Sequence, residues 1–406
     1  MLALALSSTS QRQPLSPHFA SRSAGASARL LALVGTHRVC PPEQTLARIT
    51  PLLARMGITR LADVTQLDEI GIPVYQAVRP NGRTLSVAQG KGLTPTLAKV
   101  SAAMEAVETW HAENLILPTT RAPIGGMVGG LSYPLADLQL EHKHFLHPAS
   151  EIGWVPATVL SDKRQTVVPR SYVELDLVAT KVWMPPLFEA TSNGLASGNT
   201  LDEATLHGLY EVIERDAEER VDLEAERDDR AVDLATVDDP GSSWLLARFR
   251  AAQVDVEVFD ITGGTGIACF ACHIWSSALP IQFEGYGCHL DRGVALSRAL
   301  TEAAQSRLTV IAGSRDDVTG EIYSHCADFE AQALIGSYRR SASQPSRSYR
   351  EIQSLASYDC ERDLQEVVGR IEAYVGCSPM LVDLTQPQIG VPVVRVVAPR
   401  LRRGRG

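Results

Sequence analysis

The chain has no apolar run near the ~18 residues that cross a bilayer, so a membrane-integrated protein is excluded at the outset. It also lacks a basic excess. Its 38 Lys and Arg stand against 47 Asp and Glu, a formal charge of −9. That balance argues against a general nucleic-acid binder, whose affinity comes from neutralising phosphates. Paired cysteines are missing too: Cys40, Cys269, Cys272, Cys288, Cys326, Cys360 and Cys377 are odd in number and scattered. This fits a reducing compartment, the cytoplasm, rather than a disulfide framework. No acidic residue precedes Glu43, whereas Arg12, Arg22, Arg29 and Arg38 lie there among serines. Such a composition is shared with transit segments, and residues 1–40 are read as a poorly ordered extension.

Familiar signatures fail on spacing. Gly263-Gly264-Thr265-Gly266 has neither G-x-G-x-x-G spacing nor a following helix, so no dinucleotide loop is supported. Cys269-Phe-Ala-Cys272-His273 matches a haem-attachment motif, but it lies in a β-rich run read as a buried strand. With no second C-x-x-C, a four-ligand zinc site is not supported either.

What is present is a 406-residue chain that is 45% hydrophobic and 21% charged, long enough to bury a large core unaided. Apolar spacing predicts helices over 42–56, 94–114, 200–230, 294–311 and 363–375. Strands are predicted over 68–78, 84–88, 254–262, 267–276, 380–384 and 391–398, with strands and loops through 117–187. The reading is a mixed α+β protein with one large domain over 41–401 and a basic tail at 402–406.

Three of the helices carry the same device. SAAMEAVE holds Ser101, Glu105 and Glu108; DEATLHGLYEVIERD holds Glu203, Glu211 and Glu214; TEAAQSR holds Glu302, Gln305 and Arg307. Residues three or four apart share a helix face, so the glutamates of each pair point together. They stand among small or apolar neighbours, where paired carboxylates repel unless a cation lies between them. A solvated face explains one such pair, but not three. Hard oxygen ligands from several helices suit Mg²⁺, which keeps waters and completes its shell with substrate phosphates. The second helix follows SNGLASGNT, whose backbone N–H groups suit an anion, with Asn199, Thr200 and Asp202 as cap candidates. A nucleotide with several magnesium ions is the sharpest expectation. His207, four residues before Glu211, is read as a packed residue and left outside the site.

These segments resemble the YcaO family. The resemblance rests on GKGLTPTLAKVSAAMEAVET (90–109), TSNGLASGNTLDEATLHGLYEVIERDA (191–217) and GVALSRALTEAAQSRLTVIAGSRDD (293–317), with a weaker match in GIPVVRVVAPRL. It implies a YcaO-like α+β fold, mixed or antiparallel sheets with packed helices, and an ATP site without a P-loop. Consistently, Leu85 stands where a G-x-x-x-x-G-K-[ST] motif would need its first glycine. Carried over by position, Glu105, Glu108, Glu203, Glu211 and Glu214 are implied magnesium ligands. Ser101, Asn199, Arg215, Glu302, Gln305 and Arg307 are implied nucleotide contacts, with Arg215, Gln305 and Arg307 acting in catalysis. The family usually has Arg after its first E-x-x-E; here Thr109 stands there, and Arg315 is the candidate replacement. Lys91 belongs to the first motif without an assigned role.

The implied chemistry is ATP-dependent activation of a peptide backbone amide. A neighbouring Cys, Ser or Thr nucleophile gives an azoline; external sulfide gives a thioamide. Azoline-forming members resemble one another in a proline-rich tail, whereas this chain ends APRLRRGRG. The resemblance is therefore strongest to stand-alone members paired with a TfuA partner and associated with thioamides. A peptide or protein substrate, a TfuA-like partner and a homodimer are the expected associations. A cyclodehydratase, or an accessory factor for ribosomal-protein methylthiolation, is the alternative.

Overall fold

The computed structural model describes residues 28–140, 146–176, 178, 187–223, 225–318, 320–324 and 344–402. The expectations for 1–27 and 403–406, and Cys326, lie outside them. In chain order the strands and longer helices are β1 (Leu31–Leu33), β2 (Thr36–Arg38), α1 (Pro42–Ile49), β3 (Arg60–Asp63), β4 (Val74–Val78), β5 (Val87–Lys91) and α2 (Pro95–Glu113). There follow β6 (Thr120–Pro123), β7 (Glu151–Val159), β8 (Gln165–Pro169), β9 (Leu195–Ser197), α3 (Leu201–Arg220), β10 (Val232–Asp233) and α4 (Pro240–Ala251). The remainder is β11 (Asp255–Asp260), β12 (Cys269–Trp275), β13 (Phe283–Cys288), α5 (Arg292–Ala312), β14 (Arg347–Ser348), α6 (Cys360–Val375), β15 (Met380–Asp383) and β16 (Val393–Val397).

Two three-stranded antiparallel sheets, β3-β4-β5 and β11-β12-β13, each run straight into a long helix that packs back on them, α2 and α5. A six-stranded sheet, ordered β6-β7-β15-β16-β9 with β8 also on β7, joins the middle of the chain to its C-terminal part through antiparallel pairs. Helix α3 leaves β9 and packs on β16 and α6. Long helices beside antiparallel sheets are the α+β arrangement. Buried apolar residues gather into three large clusters: α2 with the six-stranded sheet, α3 with α6, and α5 with β11–β13.

Several boundaries differ from the sequence expectation. Residues 42–56 divide into α1 and a 3₁₀ segment, Thr50–Met56, because Pro51 has no N–H for the helical ladder. Gly57, at φ 73°, closes the segment as expected. The strand expected over 68–78 keeps only β4, since Gly71 sits at φ 66° and Pro73 follows. Helix α3 stops at Arg220 rather than continuing to Arg230. Beyond Ala217 the sequence becomes AEERVDLEAERDDR, which offers too few apolar residues to bury a helix face. Residues 28–40 do not form the expected loose extension. They make the β1–β2 hairpin, and the Val39 N–H donates to Glu203 at 2.9 Å. The C-x-x-C-H run forms β12, buried along its whole length, as a packed strand should be.

Candidate active site

The three device-bearing helices begin alike. Thr94 accepts a hydrogen bond from the Leu97 N–H at 3.2 Å, Thr200 from Glu203 N–H at 3.1 Å, and Asp291 from Gly293 and Val294 N–H at 2.8 and 3.1 Å. Each cap satisfies otherwise orphaned amides and fixes where its helix starts. Counting from the caps, the fourth residues are Ala98, Ala204 and Ala295, and the eighth are Ala102, Gly208 and Ala299. These small residues let each helix approach its sheet closely. Gly90 and Gly287, each four residues before a cap, face them. A Cβ at Gly287 would lie 2.6 Å from the Ala299 nitrogen, and one at Gly90 would overlap the Ala102 backbone.

With that face turned inward, the seventh, eleventh and fourteenth residues share the opposite side. They are Ser101, Glu105 and Glu108 on α2; His207, Glu211 and Glu214 on α3; and Arg298, Glu302 and Gln305 on α5. All nine line one cavity of about 880 Å³. Asn199, Glu203, Arg215 and Arg315 line it as well, so the structure brings together every expected site residue except Arg307.

Arg307 is a correction. Two positions past Gln305, it falls on the far side of α5 and is buried. There its Nε donates to Asp68 at 3.0 Å and its Nη1 to Ser276 Oγ at 3.0 Å. Its role is to tie α5 to the Asp68 segment.

The carboxylates are held unevenly. Glu108 accepts from the Ser197 N–H at 2.8 Å and Oγ–H at 2.6 Å, yet burial, with Glu105 and Glu211 nearby, pushes it up to about 8. Burial lifts Glu211 to about 7 against the pull of Arg215. Glu105 and Glu214 are raised by burial too, although Lys91 and Arg298 oppose it. Glu302 is the exception. Burial raises it, but Lys91, whose Nζ donates at 2.6 Å, together with Arg215 and Arg298, brings it below the usual range. Asn199 donates to Glu203 at 3.1 Å and accepts from Thr45 at 2.8 Å. Thr109 presents a hydroxyl that donates to the Glu105 carbonyl, and Arg315, from the loop beyond α5, supplies the neighbouring cation.

This donor set fits magnesium and a nucleotide. Four raised carboxylates in one cavity are what cation ligands look like with no cation between them. Among the described residues, no three acidic, His or Cys side chains converge tightly enough to enclose an ion. Mg²⁺ does not require that: one or two carboxylates suffice when waters and phosphates fill the octahedron. Gln305 Oε1 is buried without a partner, an acceptor awaiting a ligand donor.

Carboxylates and amides lining one cavity, with cations between them and no P-loop motif in the sequence, fit a metal–nucleotide site of the non-P-loop class. A family model described as YcaO cyclodehydratase, ATP- and Mg²⁺-binding, matches residues 89–402. The chain belongs to the YcaO family, and ATP and Mg²⁺ are the family's cofactors. It is 39% identical over 373 residues to an uncharacterised Mycobacterium tuberculosis protein, covering 90% of this chain and 83% of the relative. It is 36% identical over 388 residues to a Rhizobium leguminosarum bv. trifolii protein in the tfuA 3′ region, covering 90% and 88%. A Methanopyrus kandleri YcaO structure bound with AMPPCP and Mg²⁺ superposes with a TM-score of 0.73 at 23% identity, covering 92% of this chain and 94% of that one. A heterocyclase in complex with substrate and cofactor gives 0.75 at 24% identity, covering 94% of this chain and 55% of that one. The fold is thus YcaO-like.

The sequence reading missed His207 and Arg298, and assigned Lys91 no role. Aligning the three helices on their caps finds the first two, because they stand level with Ser101.

Proposed function

We propose that this protein uses ATP and Mg²⁺ to phosphorylate a peptide backbone amide oxygen, and that a sulfur donor then converts the amide to a thioamide with a TfuA-type partner. The observation that carries the amide-activating reading is the convergence of Glu105, Glu108, Glu211, Glu214 and Gln305 on one cavity in a chain of this family. Support for the sulfur branch is the Rhizobium relative from the tfuA 3′ region.

An amide is a poor electrophile, and ATP supplies the phosphoryl group that makes its oxygen a leaving group. Glu105, Glu108, Glu203, Glu211 and Glu214 hold magnesium; Ser101, Asn199, Glu302 and Gln305 orient the nucleotide. Arg215, on the cavity wall one residue after Glu214, neutralises charge on the transferred group, where electrostatic stabilisation does most of the catalytic work. Sulfide adds to the amide carbon, the oxyanion is phosphorylated, and the C–O bond breaks as phosphate departs. An internal Cys, Ser or Thr nucleophile would give an azoline by the same steps, a branch favoured by the likeness to a heterocyclase. Residues 41–401 form the catalytic unit, acting in the cytoplasm as a homodimer. No helix among the described residues is long and apolar enough to cross a membrane.

The test combines protein, ATP, Mg²⁺, sulfide, a TfuA-type partner and a candidate peptide, followed by intact peptide mass. Thioamidation adds about 16 Da and cyclodehydration removes about 18 Da, from the atoms exchanged as the phosphorylated oxygen leaves. ATP binding without turnover under every combination would overturn the enzyme reading in favour of an accessory role.

A further inference from the structure

Strand β5 is an edge of its sheet, and its hydrogen-bond phase turns one set of backbone groups away from β4. The Arg79 N–H donates to the Ser86 carbonyl at 2.7 Å, and the Gly92 N–H to the Pro73 carbonyl at 3.3 Å. Those bonds flank the pairs Val78–Val87 and Val74–Lys91, which are therefore non-hydrogen-bonded pairs of the β4–β5 ladder. Val78 and Val74 agree, since their carbonyls accept from Thr59 and Val64 on the other side of β4. Ala88 and Gly90 thus exchange bonds with β4, while Val87, Gln89 and Lys91 turn N–H and C=O outward. No strand among the described residues pairs with that edge.

The edge opens beside the carboxylates of α2. Gly92 lies against Leu97 and Ala98, and Gly90 against Ala98 and Ala102, so β5 and α2 run in opposite directions. Going back from Gly90 to Val87 covers about 10 Å of strand, which matches about seven residues of helix beyond Ala102. Val87 is therefore level with Glu108 and Thr109, and all three line the cavity. Thr109 does not reach across, because its hydroxyl is turned back to the Glu105 carbonyl at 2.9 Å. One outward group is already engaged: the Gln89 N–H faces the Glu105 carboxylate and favours its charge. The edge thus offers a donor and an acceptor at Val87 and, next along, an acceptor whose companion donor is taken.

We propose that the outer edge of β5 docks the substrate as an added strand: one residue of an extended peptide exchanges backbone bonds with Val87, and the peptide carbonyl that comes opposite Gln89 stays unpaired for activation. The inference rests on the amide-activating reading above and deepens it by stating how the peptide is held. Gln89 N–H would otherwise hold that carbonyl oxygen. Because Glu105 engages the N–H, the oxygen is left to the cations and the phosphoryl group. A strand edge recognises backbone, so the substrate is an extended or locally unfolded segment rather than a helix.

The test uses the full chain with ATP, Mg²⁺, sulfide, a TfuA-type partner and the peptide whose mass changes in the assay above. Val87→Pro deletes the outward N–H without breaking the β4 ladder, because Val87 does not donate to it and edge positions accept proline. It is expected to raise KM for the peptide at least about fivefold, as loss of one hydrogen bond should, with a smaller change in kcat. Calorimetry with ATP and Mg²⁺ reads whether the cavity is still assembled. A second measurement leaves the protein unaltered: N-methyl groups are placed on the peptide amides one residue at a time. KM should rise at alternate residues only, because successive N–H groups of a strand point to opposite sides. Sensitivity that is absent, or that shows no alternation, overturns the proposal, and so does a wild-type KM in Val87→Pro. Where Val87→Pro loses ATP affinity as well, its KM reports the fold and the alternation alone decides. If ATP binds and no peptide changes mass, the amide-activating reading itself fails, and the docking edge with it.

Discussion

Glu108 and Glu211 sit at about 8 and about 7 because burial, more than any neighbour, disfavours their charged forms. Below those values each holds a proton in the metal-free cavity, and a divalent cation must displace it. Mg²⁺ affinity should therefore fall by about tenfold per pH unit for each proton displaced as pH drops below about 7. Calorimetry in buffers of different ionisation enthalpy should show proton release. The stability consequence runs the opposite way. In the folded state both groups keep protons that the unfolded chain has lost, so they cost stability as pH rises from the ordinary carboxylate range through about 8. Added Mg²⁺ should accordingly raise the melting temperature more at pH 8 than at pH 6. The Glu211→Gln variant should lose part of this pH dependence along with affinity. Binding that is independent of both pH and buffer would remove the magnesium assignment.

Cap, spacer and cavity face repeat along α2, α3 and α5, so the site depends on how closely those helices approach their strands. Gly287→Ala pushes a methyl into the backbone of α5 and should destabilise by about 1–3 kcal/mol, as overpacking does. It should also weaken ATP binding by shifting Glu302 and Gln305. Gly369→Ala, on α6 with open space around the new methyl, should instead stabilise by about 0.5–1 kcal/mol. Urea denaturation of the two variants checks both signs; equal effects would mean that the close approach of β13 to α5 is not what constrains the position. At this scale the sequence was legible where periodicity is long: α2, α3 and α5 fall within a few residues of expectation at their starts. It was less legible at the far end of α3, where charge continues after apolar burial has ended. Arg307 was misplaced for a related reason. A short motif groups residues by proximity in sequence, while a helix separates neighbours by 100° per step, so Gln305 and Arg307 face apart. His207 and Arg298 became visible only once the caps supplied a common register. Neither belongs to a carboxylate pair, and a lone His or Arg carries little signal.

At the scale of the whole molecule, the three larger sheets and three large apolar clusters among the described residues serve mainly to aim three helices at one space. The mixed α+β character was readable from the helix and strand signals, whereas the antiparallel pairing was implied only by the family resemblance. The pairing of the middle of the chain with β15 and β16 was not, because long-range register leaves no local trace. The account's central claim is that the assembled cavity transfers a phosphoryl group to the oxygen of a peptide amide. The measurement that tests it most directly uses a substrate peptide whose amide carbonyl carries a heavy oxygen isotope, converted with ATP and Mg²⁺, with mass analysis of the released phosphate. The account predicts that the label leaves the peptide and appears in phosphate, mole for mole with product, whether the product is a thioamide or an azoline. Product formation with unlabelled phosphate would contradict it.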